Sequence, residues 1–342
     1  PWPLSSTRRP AMSKSIFPVR IALDLSCERV IGQRLQPDGS VQQAHASVAD
    51  SPLADGVRAV LSALVPAGAA AIEVIVASER PLQHWLRGTL PQVALLATAG
   101  VERHLGASLA TPSAAPLWFP RALLAGGEDV GAPLGTADDL WGDGAALGKL
   151  CPASHVVAVD ERCAADGAVV RALSGEETAR AVADVAALGV QAAAVVLLHS
   201  PQNEAHEARL VEALTAQGIA ATASAQLLPA SHGGQDERLR ARAAVLDAAL
   251  SQICGEDLDA VRRAVPAGVT ARILCMDSSG RACPVAQVAP WRRMIGGMAA
   301  GLVGAARIAS GRGYPRFALV MAGDVAGGAG HRGMAALCDA RP

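Results

Sequence analysis

Two histidines and a glutamate lie close together in Leu197-Leu198-His199-Ser200-Pro201-Gln202-Asn203-Glu204-Ala205-His206-Glu207. If a strand ends near His199 and a helix starts near Asn203, both imidazoles and Glu207 approach one another. Neutral imidazoles beside a carboxylate are ligands for a divalent metal. The preferred reading is structural, with His206 and Glu207 satisfying a helix N-terminus and loop carbonyls. Seven cysteines, at 27, 151, 163, 254, 275, 283 and 338, are scattered and never spaced Cys-x-x-Cys. A zinc cluster or disulfide framework needs closer pairing, so reduced thiols are expected. Cys275 and Cys283 are read as packing across a turn. Gly148-Lys149 lacks the upstream glycine and the following hydroxyl of a P-loop, and no Gly-x-Ser-x-Gly elbow occurs. Gly328-Ala329-Gly330-His331-Arg332-Gly333 matches Gly-x-Gly-x-x-Gly, but it is read as a flexible glycine-rich tail because too few residues follow for a dinucleotide-binding unit. From these residues alone no reaction can be named.

The elements that must position these groups alternate between strand and helix. Arg20–Leu25, Val30–Leu35 and Val41–Ala46 are predicted strands, with Pro37-Asp38-Gly39-Ser40 as a turn. Leu53–Leu64 has helical spacing; Ile72–Val76 and Val93–Ala97 are short buried-strand candidates. Residues 104–152, rich in Pro, Gly and Ala, are expected to be irregular connections. Val156–Val159 and Ala168–Ala172 flank Asp166-Gly167 and are predicted to form a hairpin. Ser174 and Glu177 form a capping box for a helix ending near Leu188-Gly189. Ala192–Leu198 is a continuous apolar strand. Asn203 caps a helix to about Gln217, Asp236–Ile253 is a longer helix, and Arg272–Met276 a strand. Ala299–Arg307 is predicted helical and Phe317–Met321 a last strand. This alternation means an α/β architecture.

Composition excludes several classes. The 342 residues carry 30 basic and 31 acidic side chains, which is not the footprint of a nucleic-acid binder. With 51% hydrophobic residues and 18% charged, the chain is not disordered. Its longest apolar window, Met294–Ala306, is short of the ~20 residues of a membrane span. No apolar stretch follows Arg8 and Arg9, so residues 1–18 read as an irregular leader rather than a signal peptide, and a cytoplasmic location is expected.

Segment by segment, the chain resembles the N-terminal half of the hydantoinase A/5-oxoprolinase family. The resemblance rests on Asp160-Glu161-Arg162 with Gly167, on Leu197–Ser200 with Asn203, His206 and Glu207, and on Val93–Gly100, Ser224–Pro229 and Pro290–Ala305. It implies ribonuclease-H-like lobes of the actin-like ATPase superfold. The implied division is residues 19–200 as the N-terminal hydantoinase A-like domain and 201–342 as the truncated start of a second one. The family's first phosphate loop reads Asp-x-Gly-Gly-Thr-x-Thr-Asp. Here Asp24 stands, but Ser26, Cys27, Glu28, Val30 and Ile31 replace the glycines, threonines and second aspartate. The family's Gly-Thr-Thr segment becomes Ala77-Ser78-Glu79. The second loop, Asp-Met-Gly-Gly-Thr-Ser-x-Asp in the family, becomes Val320-Met321-Ala322-Gly323-Asp324-Val325-Ala326-Gly327.

The resemblance therefore implies a chain with degenerate phosphate loops and no catalytic, cofactor or metal residues of its own. Its relatives include subunits of biotin-independent ketone carboxylases. The implied role is that of a small structural subunit in a complex converting acetophenone and bicarbonate to benzoylacetate, with ATP and a divalent metal (Mg or Mn) used elsewhere in the complex. Implied partners are full-length hydantoinase A-like and hydantoinase B-like subunits and a small subunit, with no nucleic acid or membrane. The alternatives are a subunit of an ATP-dependent hydantoinase- or oxoprolinase-type amide hydrolase, or a regulatory ligand-sensing module.

Overall fold

Residues 19–110, 146–228, 236–314, 316–323 and 332–339 are described by a computed structural model. The expected leader at 1–18 lies outside them. In chain order the first elements are β1 (Val19–Leu25), β2 (Arg29–Leu35), β3 (Val41–Ser47), α1 (Leu53–Leu64), β4 (Ala71–Ser78), α2 (Arg80–Arg87), β5 (Val93–Thr98) and α3 (Glu102–Leu109). After residue 145 come α4 (Ala146–Leu150), β6 (Val156–Val159), β7 (Arg162–Cys163), β8 (Val169–Arg171), α5 (Gly175–Ala187), β9 (Ala192–Val196), α6 (Ala205–Ala216) and β10 (Ala220–Ala223). The remainder is α7 (Glu237–Ala264), β11 (Thr270–Met276), β12 (Ala282–Pro284), α8 (Gly296–Gly311), β13 (Arg316–Gly323) and β14 (Arg332–Asp339). The architecture is mixed α/β, as the alternation requires.

Two sheets carry it. The first has the order β12-β11-β4-β1-β2-β3: an antiparallel meander of β1 to β3, then β4 and β11 added in parallel, with β12 antiparallel at the edge. Along β1, Ile21, Leu23 and Leu25 point into the core, while Arg20, Ala22 and Asp24 are exposed on the other face. Helix α1 covers the inner face with Val57, Val60, Leu61 and Leu64. Each such fully buried side chain contributes about 1.5–3 kcal/mol. The close approach needs Gly32, where a Cβ would sit 2.3 Å from Val60 Cγ1.

The second sheet, β10-β9-β5-β6, is entirely parallel. Its strands are buried on both faces, so β5 and β9 read as unbroken apolar runs. Helices α5 and α6 cover one face; α3, α4 and α7 cover the other. Helix α7 belongs to both sheets. Residues Ala241 to Cys254 pack in the core of the second sheet, and Ala260, Val261 and Ala264 in that of the first.

Several expectations are corrected. The hairpin around Asp166-Gly167 joins β7 to β8, because Val156–Val159 is drawn into the second sheet beside β5. Helix α7 runs on to Ala264 instead of ending at Ile253, since Gly255 does not interrupt an apolar stripe that continues through Leu258 and Val261. Within 104–152, expected to be irregular, α3 reaches Leu109 and α4 spans Ala146–Leu150; 111–145 lie outside the described residues. The tail expected to be flexible carries β14 from Arg332, paired with β13. Among the described residues no helix is long and apolar enough to cross a membrane.

Candidate functional site

The first degenerate loop joins β1 to β2. Asp24 sits opposite Ile31 of β2 and Ala77 of β4, so the ladder brings three of the singled-out positions into one row. Ser26, Cys27 and Glu28 form the turn, and its amide groups are committed. Ser26 N donates to Arg29 O at 3.0 Å, and Cys27 N to Gln83 Oε1 at 2.8 Å. Ser26 Oγ accepts from Glu28 N at 3.3 Å and from Arg29 N at 3.1 Å. A phosphate-binding loop works by presenting unsatisfied amides to the anion; here those of 26–29 are satisfied within the chain.

The side chains add to this. Although Asp24 lies on the open face of β1, partial desolvation by the groups packed around its carboxyl pushes it above its ordinary value, with Arg29 opposing. Glu79 is also raised, first by burial and then by Asp24, so two carboxyl groups influence each other where an anion would lie. Glu28 is engaged by Arg87 Nη2 at 3.2 Å. Burial also raises the Cys27 thiol, against the pull of Arg87 and Arg80, which keeps it protonated and a poor nucleophile.

The Ala77-Ser78-Glu79 segment lies beside the loop, with Ala77 and Ser78 paired to Asp24 and Leu25. Glu79 N donates to Leu25 O at 2.8 Å. Ser78 Oγ donates to the buried Asp257 of α7 at 2.7 Å, and Arg80 closes on the same carboxylate. The first residues of α8 crowd this corner: a Cβ on Gly297 would lie 2.8 Å from Glu79 Cγ. Gln83, Arg80 and Asp257 were not singled out in the sequence. No motif marks them, and Asp257 lies 179 residues from Ser78.

The second degenerate loop starts as a regular ladder, with Val320 opposite Ala335 and Gly323 opposite Arg332; Asp324 lies outside the described residues.

The histidine-rich passage sits at the carboxyl ends of the second sheet. The hydrogen bonds do not join His199, at φ 58°, to His206. His206 Nδ1 donates to Glu161 Oε2 at 2.7 Å, and its Nε2 accepts from Leu173 N at 3.3 Å. Thr98 Oγ1 donates to the other oxygen of Glu161 and accepts from Leu198 N at 2.9 Å. Cys163 Sγ lies 3.9 Å from His206 Nδ1.

Glu207 is fully buried. It accepts from Leu197 N at 2.9 Å, Ser224 Oγ at 2.8 Å and Ala225 N at 2.9 Å. Arg240, also fully buried, donates to Ser200 Oγ and Ser224 Oγ at 2.6 Å and to Leu197 O at 3.0 Å, with Glu207 3.6 Å away. The structural reading thus holds for Glu207, although its partners are loop amides and a hydroxyl rather than carbonyls. Asn203 Oδ1 accepts from Ala205 N at 3.2 Å at the start of α6. Ser174 caps α5 by accepting from Glu177 N at 3.0 Å, but Glu177 Oε1 accepts from Asp160 N at 2.7 Å instead of reaching back to Ser174.

A cleft of about 410 Å³ opens beside the edge strand β10, lined among others by Val211, Glu212, Thr222, Gln226 and Asp247. Asp247 accepts from Thr222 Oγ1 and Trp291 N, each at 3.0 Å. Burial pushes its carboxyl up to about 6.

Residues 134–218 match the hydantoinase/oxoprolinase N-terminal region, and residues 240–323 match hydantoinase/oxoprolinase. The acetophenone carboxylase gamma subunit of Aromatoleum aromaticum is 31% identical over 179 residues, 50% of this chain and 24% of that subunit. In fold, the chain is similar to nucleotide-free acetone carboxylase, with TM-score 0.68 and 18% identity over 94% of this chain and 44% of that one. It is also similar to the ATP-dependent caprolactamase of Pseudomonas jessenii, with TM-score 0.61 and 20% identity over 88% and 42%. The chain thus spans less than half the length of these relatives. The two matches fall in chain order and agree with the segments read from the sequence, so over residues 134–218 and 240–323 the chain is similar to the hydantoinase/oxoprolinase family.

Proposed function

We propose that this chain is a non-catalytic, structural subunit of a biotin-independent, ATP-dependent ketone carboxylase complex, one that carboxylates acetophenone with bicarbonate to give benzoylacetate. Its relatives by sequence and fold include carboxylases, and the name of one of them specifies acetophenone. The observation that carries the non-catalytic reading is the β1–β2 turn. Its amides from Ser26 to Arg29 already have acceptors, and Asp24 and Glu79 add negative charge beside it. Mg-ATP does not fit these residues, so nucleotide chemistry belongs to other subunits. The meander β3-β2-β1 followed by parallel β4 and β11 supports a ribonuclease-H-like lobe of the actin-like ATPase superfold. The complex is cytoplasmic and joins this chain to hydantoinase A-like, hydantoinase B-like and small subunits. The interface is of obligate size, above roughly 2,000 Å².

Calorimetry of the purified chain with Mg-ATP at millimolar concentration tests the reading, and no saturable heat is expected. Saturable binding tighter than about 100 µM, roughly −5.5 kcal/mol, overturns it. Co-expression tests the assembly, with one high-mass peak expected; a stable monomer that ignores those subunits overturns it. A ligand-sensing module is the second reading, favoured by the cleft beside Asp247. A metabolite that raises the melting temperature by binding only the native chain supports that alternative.

A further inference from the structure

The second sheet has a topological switch point at β5. The chain passes from β5 to β6 on one side and later to β9 on the other, with all three strands parallel. In open parallel sheets, the crevice beyond the carboxyl ends at such a point is where ligands bind. Here that crevice holds Thr98 at the end of β5, Glu161 just past β6, Cys163 on β7 and His206 on the first turn of α6. Glu161 Oε, Cys163 Sγ and a His206 ring nitrogen all lie within 4.8 Å of one another, and all three residues are buried or nearly so.

The charge balance is unusual. Leu173 N donates to Nε2 of His206, which uses a lone pair there and leaves Nδ1 to donate to Glu161. Cys163 is a thiol, raised by burial and then by Glu161. Among the described residues, the basic side chain nearest to Glu161 is that of His206, at 2.7 Å. The fully buried Glu161 side chain therefore faces a hydroxyl, an imidazole and a thiol, and among the described residues no arginine or lysine is ion-paired with it. Buried charges are ordinarily paired or coordinate metals.

We propose that Glu161, Cys163 and His206 form a binding site for a borderline-soft divalent cation of the zinc class. The mixed set of one thiolate, one imidazole and one carboxylate suits zinc and disfavours magnesium or calcium, which take oxygen ligands. Binding forms bonds to Glu161 Oε2, Cys163 Sγ and His206 Nδ1. The thiol loses one proton to solvent. The ring proton moves from Nδ1 to Nε2, and the long Leu173 contact is given up. One proton is released per cation, and no redox change occurs. A fourth position remains for water. The site is separate from the β1–β2 loop and does not rest on the carboxylase reading.

Cobalt(II) added to the full chain under anaerobic conditions is the probe, because cobalt bound to thiolate gives a charge-transfer band in the near ultraviolet. One equivalent is expected to saturate the band, zinc to displace it, and zinc to raise the melting temperature. The Cys163→Ser variant is expected to lose the band and bind zinc at least about a hundredfold more weakly, at or beyond the upper end of what outer-shell changes cause. The double variant Cys27→Ser/Cys283→Ser, which removes the half-exposed thiols among the described residues, is expected to keep it. A wild-type chain with no saturable band overturns the proposal. So does a band that persists in folded Cys163→Ser, or one that disappears in the double variant. The wild-type titration and the double variant decide the matter even if Cys163→Ser does not fold.

Discussion

At the end of β1 the polar groups of the turn mostly serve the backbone beside them: Ser26 bonds Glu28 and Arg29, two and three residues on. At the ends of β5, β6 and β9 they reach across the fold. His206 meets Glu161 over 45 residues, and Arg240 meets Leu197 over 43. The first region is a hairpin turn whose amides have acceptors, most of them within three residues. The second has buried charge that only the assembled sheet can satisfy. Stability, by this contrast, depends on the second region and hardly on the side chains of the first.

The largest expected effect is at Arg240. Arg240→Met leaves Glu207 buried without its cation and should lower unfolding stability by about 3–5 kcal/mol in urea titration. A loss below 1 kcal/mol breaks the contrast. Asp247 comes next. Its carboxyl, raised to about 6 from 3.8, favours the protonated native state. Its stabilising contribution is therefore complete below pH 4 and lost as pH rises through about 6, on the order of 3 kcal/mol. Urea titrations at pH 4 and pH 7.5 measure this, and Asp247→Asn should flatten the difference; an unchanged pH slope refutes the assignment. Ser174→Ala removes the cap of α5 and should cost about 1 kcal/mol, seen as a lower melting temperature. Smallest is Asp24→Asn. If the proposed carboxylase complex is assembled, the substitution should change its carboxylation rate by no more than about threefold, roughly 0.65 kcal/mol of barrier. A hundredfold fall with normal assembly makes the first region a catalytic one.

Much of the fold was legible because it is local. The bounds of α1 follow from its apolar spacing, and β5 and β9 from unbroken apolar runs. The turn at Asp38-Gly39 follows from a glycine at φ 85°. What failed depended on partners. Val156–Val159 has the composition of a hairpin strand, and only β5 alongside makes it a parallel one. Helix α2, with its basic and aromatic residues, has a single buried residue and so a weak apolar stripe. The site was legible in part. Ser26, Cys27 and Glu28 mark themselves by type, whereas the trio of Glu161, Cys163 and His206 lies in two motifs that nothing in the spacing joins.

Strands β4 and β11 are hydrogen-bonded neighbours, yet the whole second sheet lies between them in the chain. As the polypeptide emerges, β1 to β4 can pair while the far edge of β4, with Ile72, Val74 and Val76, has no strand beside it. That edge must wait for nearly two hundred further residues to be made and folded. Such long-range pairing is slow and leaves an open, apolar strand edge as a template for other chains. Helix α7, packed first on one sheet and then on the other, is the device that ends the wait, because it delivers β11 to β4 once the inserted sheet has formed. Aggregation of nascent chains is expected to be greatest between those two events.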